Sequence, residues 1–160
     1  MEDMEKMKIE TPEDIDKVFD SIKEDVKEKF IEKERRHNAI VKLALLLEEI
    51  KKWNAETFKT SPLHGQLAKL EEEMQEFHQA IEEDDIEKGK AELADIFIVL
   101  GGLMRWNSKV GVFIKRSILD DMPAGAVEEL ISDIEKKMEI NKERTAKGVW
   151  KVQPDGSSHH

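Results

Sequence analysis

Two acidic motifs placed symmetrically about a polar turn constrain this chain more than any other feature. Glu72, Glu73 and Glu76 lie on one helical pattern, Glu92 and Asp95 lie on the next, and Glu83-Asp84-Asp85 separates them. The polar cluster predicts an antiparallel helix pair with its turn there. In such a pair, residues whose numbers share a sum lie opposite each other. Glu76 with Glu92 and Glu73 with Asp95 both sum to 168, twice the position of Asp84. Within each motif the two acids are three apart, so they share a helical face, about 12 Å from the turn. Four carboxylates are expected to converge on one spot.

Such a cluster repels itself unless its pKa values rise or a cation joins it. A hard divalent ion with oxygen ligands is the natural partner. No Cys or His stands at the i+3 or i+4 positions that zinc and di-iron helix sites use, so Mg²⁺ is expected, with Mn²⁺ able to substitute. Glu-rich helices are common in a chain that is 39% charged, and Glu71, Glu72, Glu82, Glu83 and Glu87 taken singly read as a solvated face. Asp95 differs because Ile96 to Met104 follows it without another charge. Its carboxylate is expected at the edge of the core, where a missing partner is costly.

The order Glu72-Glu73-x-x-Glu76 then Glu92-x-x-Asp95 resembles the EExxE and ExxD signature of the all-α nucleoside triphosphate pyrophosphohydrolases, which include MazG, dimeric dUTPases, dCTP pyrophosphatases and phosphoribosyl-ATP pyrophosphatase. Lys69-Leu70, Ala80-Ile81 and Glu92-Leu93-Ala94-Asp95-Ile96 agree with it, and Lys137-Met138-Glu139-Ile140-Asn141 with Arg144 resembles the family's downstream K-M-x-x-N-x-x-R element. The resemblance spans about Trp53 to Arg144. It implies an all-α, antiparallel helical bundle.

The 160 residues, 39% of them hydrophobic, suffice for one domain with a substantial core. A net charge of −10 argues against binding nucleic acid polymers along their backbone. The absence of Cys excludes disulfides and fits a reducing, cytoplasmic setting. MEDMEKMKIE has no apolar core, so it does not read as a secretory signal. The longest uncharged apolar run, Ile96 to Met104, is far short of the ~20 residues that span a bilayer, so no membrane partner is expected.

Three parts are expected: an accessory amphipathic helix over 1–36, a pyrophosphohydrolase core over 37–146, and an irregular tail over 147–160. Met1 to Glu10 reads as frayed, and Thr11-Pro12-Glu13-Asp14 as a capped helix start. Ile15, Val18, Phe19, Ile22, Val26 and Phe30 recur at helical spacing, a stripe expected to pack in the core or against another subunit. A second pattern runs from Ile40 through Trp53 to Phe58, and no Gly or Pro separates it from the first. Thr60-Ser61-Pro62 is expected to cap the next helix with Pro62 at its first position. That helix carries the stripe Leu67, Leu70, Met74, Phe77 and Ile81. Gly101-Gly102, inside a helix, signals close approach of another helix, with oligomer packing one candidate. Residues 107–125 read as an inserted short helix in which Lys115 and Arg116 are solvated. Val149 to Val152 reads as an extended segment over the site or a neighbouring subunit, and Ser157 to His160, either native or a remnant of a purification tag, receives no role.

The function expected is hydrolysis of a nucleoside triphosphate to monophosphate and pyrophosphate, as nucleotide-pool house-cleaning. Glu73, Glu76, Glu92 and Asp95 are the expected metal ligands, picked both by helix geometry and by the resemblance. Glu72 is adjacent, as a base orienting water or as an outer partner. Lys137, Asn141 and Arg144, spaced four and three, make one ridge suited to phosphates and sugar; Lys137 is expected to stabilise charge in the reaction. Trp53 is a candidate for stacking on the base, and His64 for donating to a phosphate at a helix N-terminus. A dimer or tetramer is expected. The alternatives are a narrow dUTPase, dCTPase or phosphoribosyl-ATP pyrophosphatase, and, from another class, a non-catalytic helical module that binds a protein.

Overall fold

One helix, uninterrupted by glycine or by proline beyond its first residue, runs the length of the molecule: α1, Pro12–Thr57, 46 residues and about 69 Å long. The computed structural model describes residues 11–160, so the expected fraying of Met1 to Glu10 lies outside the described residues. Thr11 starts α1 with a reciprocal cap, its Oγ1 accepting from the Asp14 N–H at 3.2 Å while Asp14 Oδ2 accepts from the Thr11 N–H at 2.9 Å. The two helical patterns are thus one helix, which passes through position 36 without a break.

The two halves of α1 have different surroundings. Its second half buries Ala39, Leu43, Leu47 and Ile50 in the core. The first half does not join that core: Ile15, Phe19, Ile22, Val26 and Phe30 are exposed, Phe30 at 67%. The core alternative for this stripe is therefore overturned within the chain. The hinge between the two regimes is polar, with Glu32 accepting from the Ala124 N–H and Arg36 donating to the carbonyls of Met122, Leu119 and Asp120.

Helices α2, Leu63–Glu82, and α3, Ile86–Leu103, form the antiparallel pair. Their turn falls at 83–85, where Asp84 takes a positive φ of 56° and Asp85 caps α3 through Lys88 N–H. A short helix α4, Lys109–Ile114, continues into one π-helical turn over Lys115–Leu119. Helix α5, Ala124–Lys147, ends at Gly148 in the left-handed conformation. Strands β1, Lys151–Val152, and β2, Ser158–His159, close an antiparallel hairpin. Among the described residues the fold is all-α apart from this hairpin. Helix α3 packs against α1, α2 and α5, and its Ala94, Phe97 and Ile98 meet Val127, Leu130, Ile131, Ile134 and Met138 of α5 in the core. Among the described residues no helix is long and apolar enough to cross a membrane.

Two local expectations are corrected, and the close approach of another helix expected at Gly101-Gly102 is found within the chain. Pro62 is the N-cap of α2 rather than its first helical residue, and no side chain caps that end; Ser61 instead accepts from Gln66 Nε2 and donates to the Gly156 carbonyl. The apolar stripe of α2 points outward, with Leu67, Met74 and Ile81 about half exposed, because Gln66, Glu73 and Ala80 take the buried face. Gly101 and Gly102 serve packing inside the chain: a Cβ there would stand 2.8 Å from Ile50 Cγ2 and 2.6 Å from Asn54 Nδ2, both on α1.

Candidate active site

The buried face of α2 and the polar edge of α3 form one wall of a cavity of about 350 Å³, completed by α1, α5 and the hairpin. Glu72, Glu73, Glu76, Glu92 and Asp95 all line it. One oxygen from each of Glu73, Glu92 and Asp95 falls within a 4.8 Å span, which is the juxtaposition that the mirror arrangement about Asp84 predicts for 73 and 95. Glu76 completes the group beside Glu92.

Burial sets the electrostatics of this wall. It pushes Glu73 up to about 7, a shift that Lys69 opposes and that the charges of Asp95 and Glu76 reinforce. Glu92 is raised too, first by burial and then by the charges of Glu76 and Asp95. Lys69 reaches back along α2 to Glu73 at 2.6 Å and Glu72 at 3.3 Å. From α5, Lys137 Nζ reaches Asp95 Oδ2 at 2.5 Å. Five carboxylates thus face three fixed cations, Lys69, Lys137 and Arg144. An all-oxygen donor set with negative charge to spare suits a hard divalent cation, so the residues fit the ion the sequence implies.

The opposite side of the cavity is aromatic and amide in character. Trp53 of α1 and Phe58 at its C-cap meet Trp150 edge-on, with centroids 5.1 to 6.3 Å apart. Trp53 Nε1 is buried without a partner. Asn141 of α5 is buried and accepts from Arg144 at 3.3 Å. Beneath them, Arg105 donates to Asn54 Oδ1, Asn54 to Gln66 and Gln66 to Ser61. This relay, buried from Asn54 to Ser61, joins the segment after α3 to α1 and to the start of α2.

The geometry gathers most of the residues singled out from sequence, with one exception. Glu72, Glu73, Glu76, Glu92, Asp95, Lys137, Asn141, Arg144 and Trp53 line the same cavity, whereas His64 does not. His64 sits beside Gly156 of the hairpin, because its place in the first turn of α2 faces that segment. Glu72 Oε2 is held between Lys69 and His159 Nε2, the latter at 3.4 Å. Four participants were not singled out: Lys69, Asn54, Gln66 and the 157–160 segment. Lys69 is spaced three and four before Glu72 and Glu73, and Asn54 and Gln66 are amides at buried positions of their helices, so their spacing carried a signal. Ser157 to His160 had none in composition, yet Ser157 and Ser158 are buried and His159 and His160 line the cavity.

Residues 41–108 match the model of the phosphoribosyl-ATP pyrophosphohydrolase family. No curated protein and no solved structure matches the chain. The matched stretch ends before α4, so it contains all five carboxylates and Trp53 but not Lys137, Asn141, Arg144 or the hairpin. With the all-α bundle and the facing acidic motifs, this match makes residues 41–108 similar to the MazG-like all-α nucleoside triphosphate pyrophosphatases.

Proposed function

We propose that the chain is a divalent-metal-dependent pyrophosphohydrolase of nucleoside triphosphates, converting (d)NTP and water to (d)NMP and pyrophosphate. The observation that carries this is the convergence of Glu73, Glu92 and Asp95 within 4.8 Å, opposite a ridge of Lys137, Asn141 and Arg144. Glu73, Glu76, Glu92 and Asp95 would hold Mg²⁺, or Mn²⁺ in its place. Such an ion supplies Lewis-acid polarisation of the phosphates and lowers the pKa of water.

The chain's own residues do the rest. Lys137, already within reach of Asp95, turns its ammonium to the charge that grows on the phosphates as the anhydride breaks. Arg144 forks onto phosphate oxygens, and the buried Asn141 offers both a donor and an acceptor to phosphate or sugar. Glu72 lies at the rim of the cluster, where it can accept a proton from an attacking water, while Lys69 holds it in place. The aromatic side excludes water and gives a flat heterocycle an apolar seat, with Trp53 as the stacking residue.

The substrate range proposed is broad, as in nucleotide-pool sanitation, and the narrow alternatives are dUTP, dCTP and phosphoribosyl-ATP. The family model that matches residues 41–108 is named for the last of these, which supports testing it first among the narrow candidates. Pyrophosphate release from a panel of canonical and modified triphosphates plus phosphoribosyl-ATP, with Mg²⁺, with Mn²⁺ and with chelator, tests the proposal. Metal-dependent release supports it, and its profile separates sanitation from selectivity; silence across the panel refutes it in favour of the non-catalytic helical module.

We also propose a homo-oligomer. Its support is two apolar faces left uncovered by the chain itself, Ile15, Phe19, Ile22, Val26 and Phe30 on α1 and Leu67, Met74 and Ile81 on α2.

A further inference from the structure

Among the described residues, Ser158 Oγ and Trp53 Nε1 are the buried side-chain polar atoms without a partner. Both residues line the cavity. Ser158 is only 5% exposed, and its neighbour Ser157 is fully engaged, with its hydroxyl 2.5 Å from Asp155 Oδ1 and 2.9 Å from His159 Nε2. Leaving two buried polar groups unpaired beside each other's cavity is costly unless a ligand pairs them.

The segment that brings Ser158 there is built onto the bundle rather than laid over it. Gly65 of α2 and Gly156 meet backbone to backbone: a Cβ on Gly65 would stand 2.0 Å from the Gly156 carbonyl oxygen. Gly156 itself has φ +80°, a conformation suited to glycine. Ser61 Oγ, at the end of the relay from Arg105, donates to that same carbonyl at 3.3 Å. Trp150, at the start of the segment, supplies the third ring of the aromatic trio and carries the His160 ring 6.0 Å away, edge to face.

We propose that the Trp150 to His160 segment is the closing wall of a nucleoside subsite, with Ser158 and Trp53 pairing with polar atoms of the nucleoside between aromatic walls. The inference rests on the pyrophosphohydrolase reading, which puts the phosphates on the carboxylate side. It also limits the ligand chemically. Trp53 Nε1–H only donates and lies in the plane of the ring that stacks on the base, so the atom it meets is an acceptor beside that stack, a sugar oxygen; the Ser158 hydroxyl takes either kind.

Two variants in the full chain test this, Ser158→Ala and Gly65→Ala. The second lies outside the cavity, favours the helix it sits in, and forces the hairpin off its seat. For whichever triphosphate the wild type hydrolyses best, KM is expected to rise roughly threefold to tenfold in Ser158→Ala and further in Gly65→Ala. Inhibition by inorganic pyrophosphate, which engages only the phosphate side, is expected to move less than twofold, while inhibition by the nucleoside monophosphate weakens with KM. Unchanged KM in Ser158→Ala, or pyrophosphate inhibition weakened as much as nucleotide binding, overturns the subsite. Should Gly65→Ala lose its helical circular dichroism, Ser158→Ala decides. A wild type that turns over no triphosphate removes the pyrophosphohydrolase reading and the subsite together, whereas an active wild type with indifferent variants removes the subsite alone.

Discussion

Lys137 Nζ and Asp95 Oδ2 are 2.5 Å apart, the lysine on α5 and the aspartate on α3. The two are partly exposed, at 29% and 19% of their side chains, and they sit where the family-matched helices meet a helix outside the match. The residue expected to meet phosphate therefore begins as the partner of a residue expected to hold metal. Binding of a metal and a nucleotide must redistribute this pair, so the lysine's contribution should appear in turnover more than in folding.

Lys137→Ala is accordingly expected to lower kcat/KM by about 10²-fold to 10³-fold, the scale of one donor to a developing phosphate charge. Steady-state pyrophosphate release at saturating Mg²⁺ measures it. A drop smaller than fivefold would remove Lys137 from the phosphate side.

The raised pKa of Glu73 predicts an unusual pH trend. Burial pushes it to about 7, so between the ordinary carboxylate value and about 7 the folded chain keeps a proton that the unfolded chain releases. Stability then rises as pH falls through this window. The Tm of chelator-treated protein should increase from about pH 8 to about pH 6 more in the wild type than in Glu73→Gln, whose amide carries no charge to relieve. Equal slopes for the two proteins would contradict it.

The crossing of α1 and α3 predicts a purely structural effect. A Cβ at Gly102 would stand 2.6 Å from Asn54 Nδ2, and Asn54 is held by Arg105 at 2.9 Å and Gln66 at 3.2 Å. Gly102→Ala gains helix propensity yet should destabilise the fold by about 1–3 kcal/mol through overpacking. Urea unfolding reads this directly, and a neutral or stabilising result would mean that α1 can shift away at no cost.

The mirror spacing of the acids was legible from sequence because a helix pair obeys simple geometry once its turn is identified, and Glu83-Asp84-Asp85 identified it. The capped start at Thr11 was legible for a similar reason, since the cap is local. The direction of α2 was not. Leu67, Met74 and Ile81 read as the face that packs, yet in the chain Glu73 and Gln66 turn inward. Periodicity reports that a helix has two faces and cannot say which one the same chain covers. Ile15 to Phe30 shows the same ambiguity. The first strand of the hairpin falls in the segment Val149 to Val152, read as extended over the site, but the second escaped notice because its role depends on contacts across the fold, Gly156 with Gly65 and His159 with Glu72, and Ser157 to His160 have no helical pattern of their own.

The uncovered faces give a prediction about assembly. Phe19→Asp with Ile22→Asp on α1, and separately Met74→Glu on α2, place charges in the two apolar stripes. Sedimentation of the wild type should give a mass above that of one chain, and at least one of the variants should lower it. A wild type that sediments as a single chain at all accessible concentrations would contradict the assembly.

The most direct test of the carboxylate cluster is pyrophosphate release by the wild type beside Asp95→Asn and Glu76→Gln, in Mg²⁺ and after its removal by chelator. The wild type should release pyrophosphate with Mg²⁺ and stop when the metal is withdrawn, and both variants should be inactive under either condition while keeping their helical circular dichroism. Turnover that survives chelation, or that survives Asp95→Asn, would show that the acids of α2 and α3 are not the centre at which this chain acts.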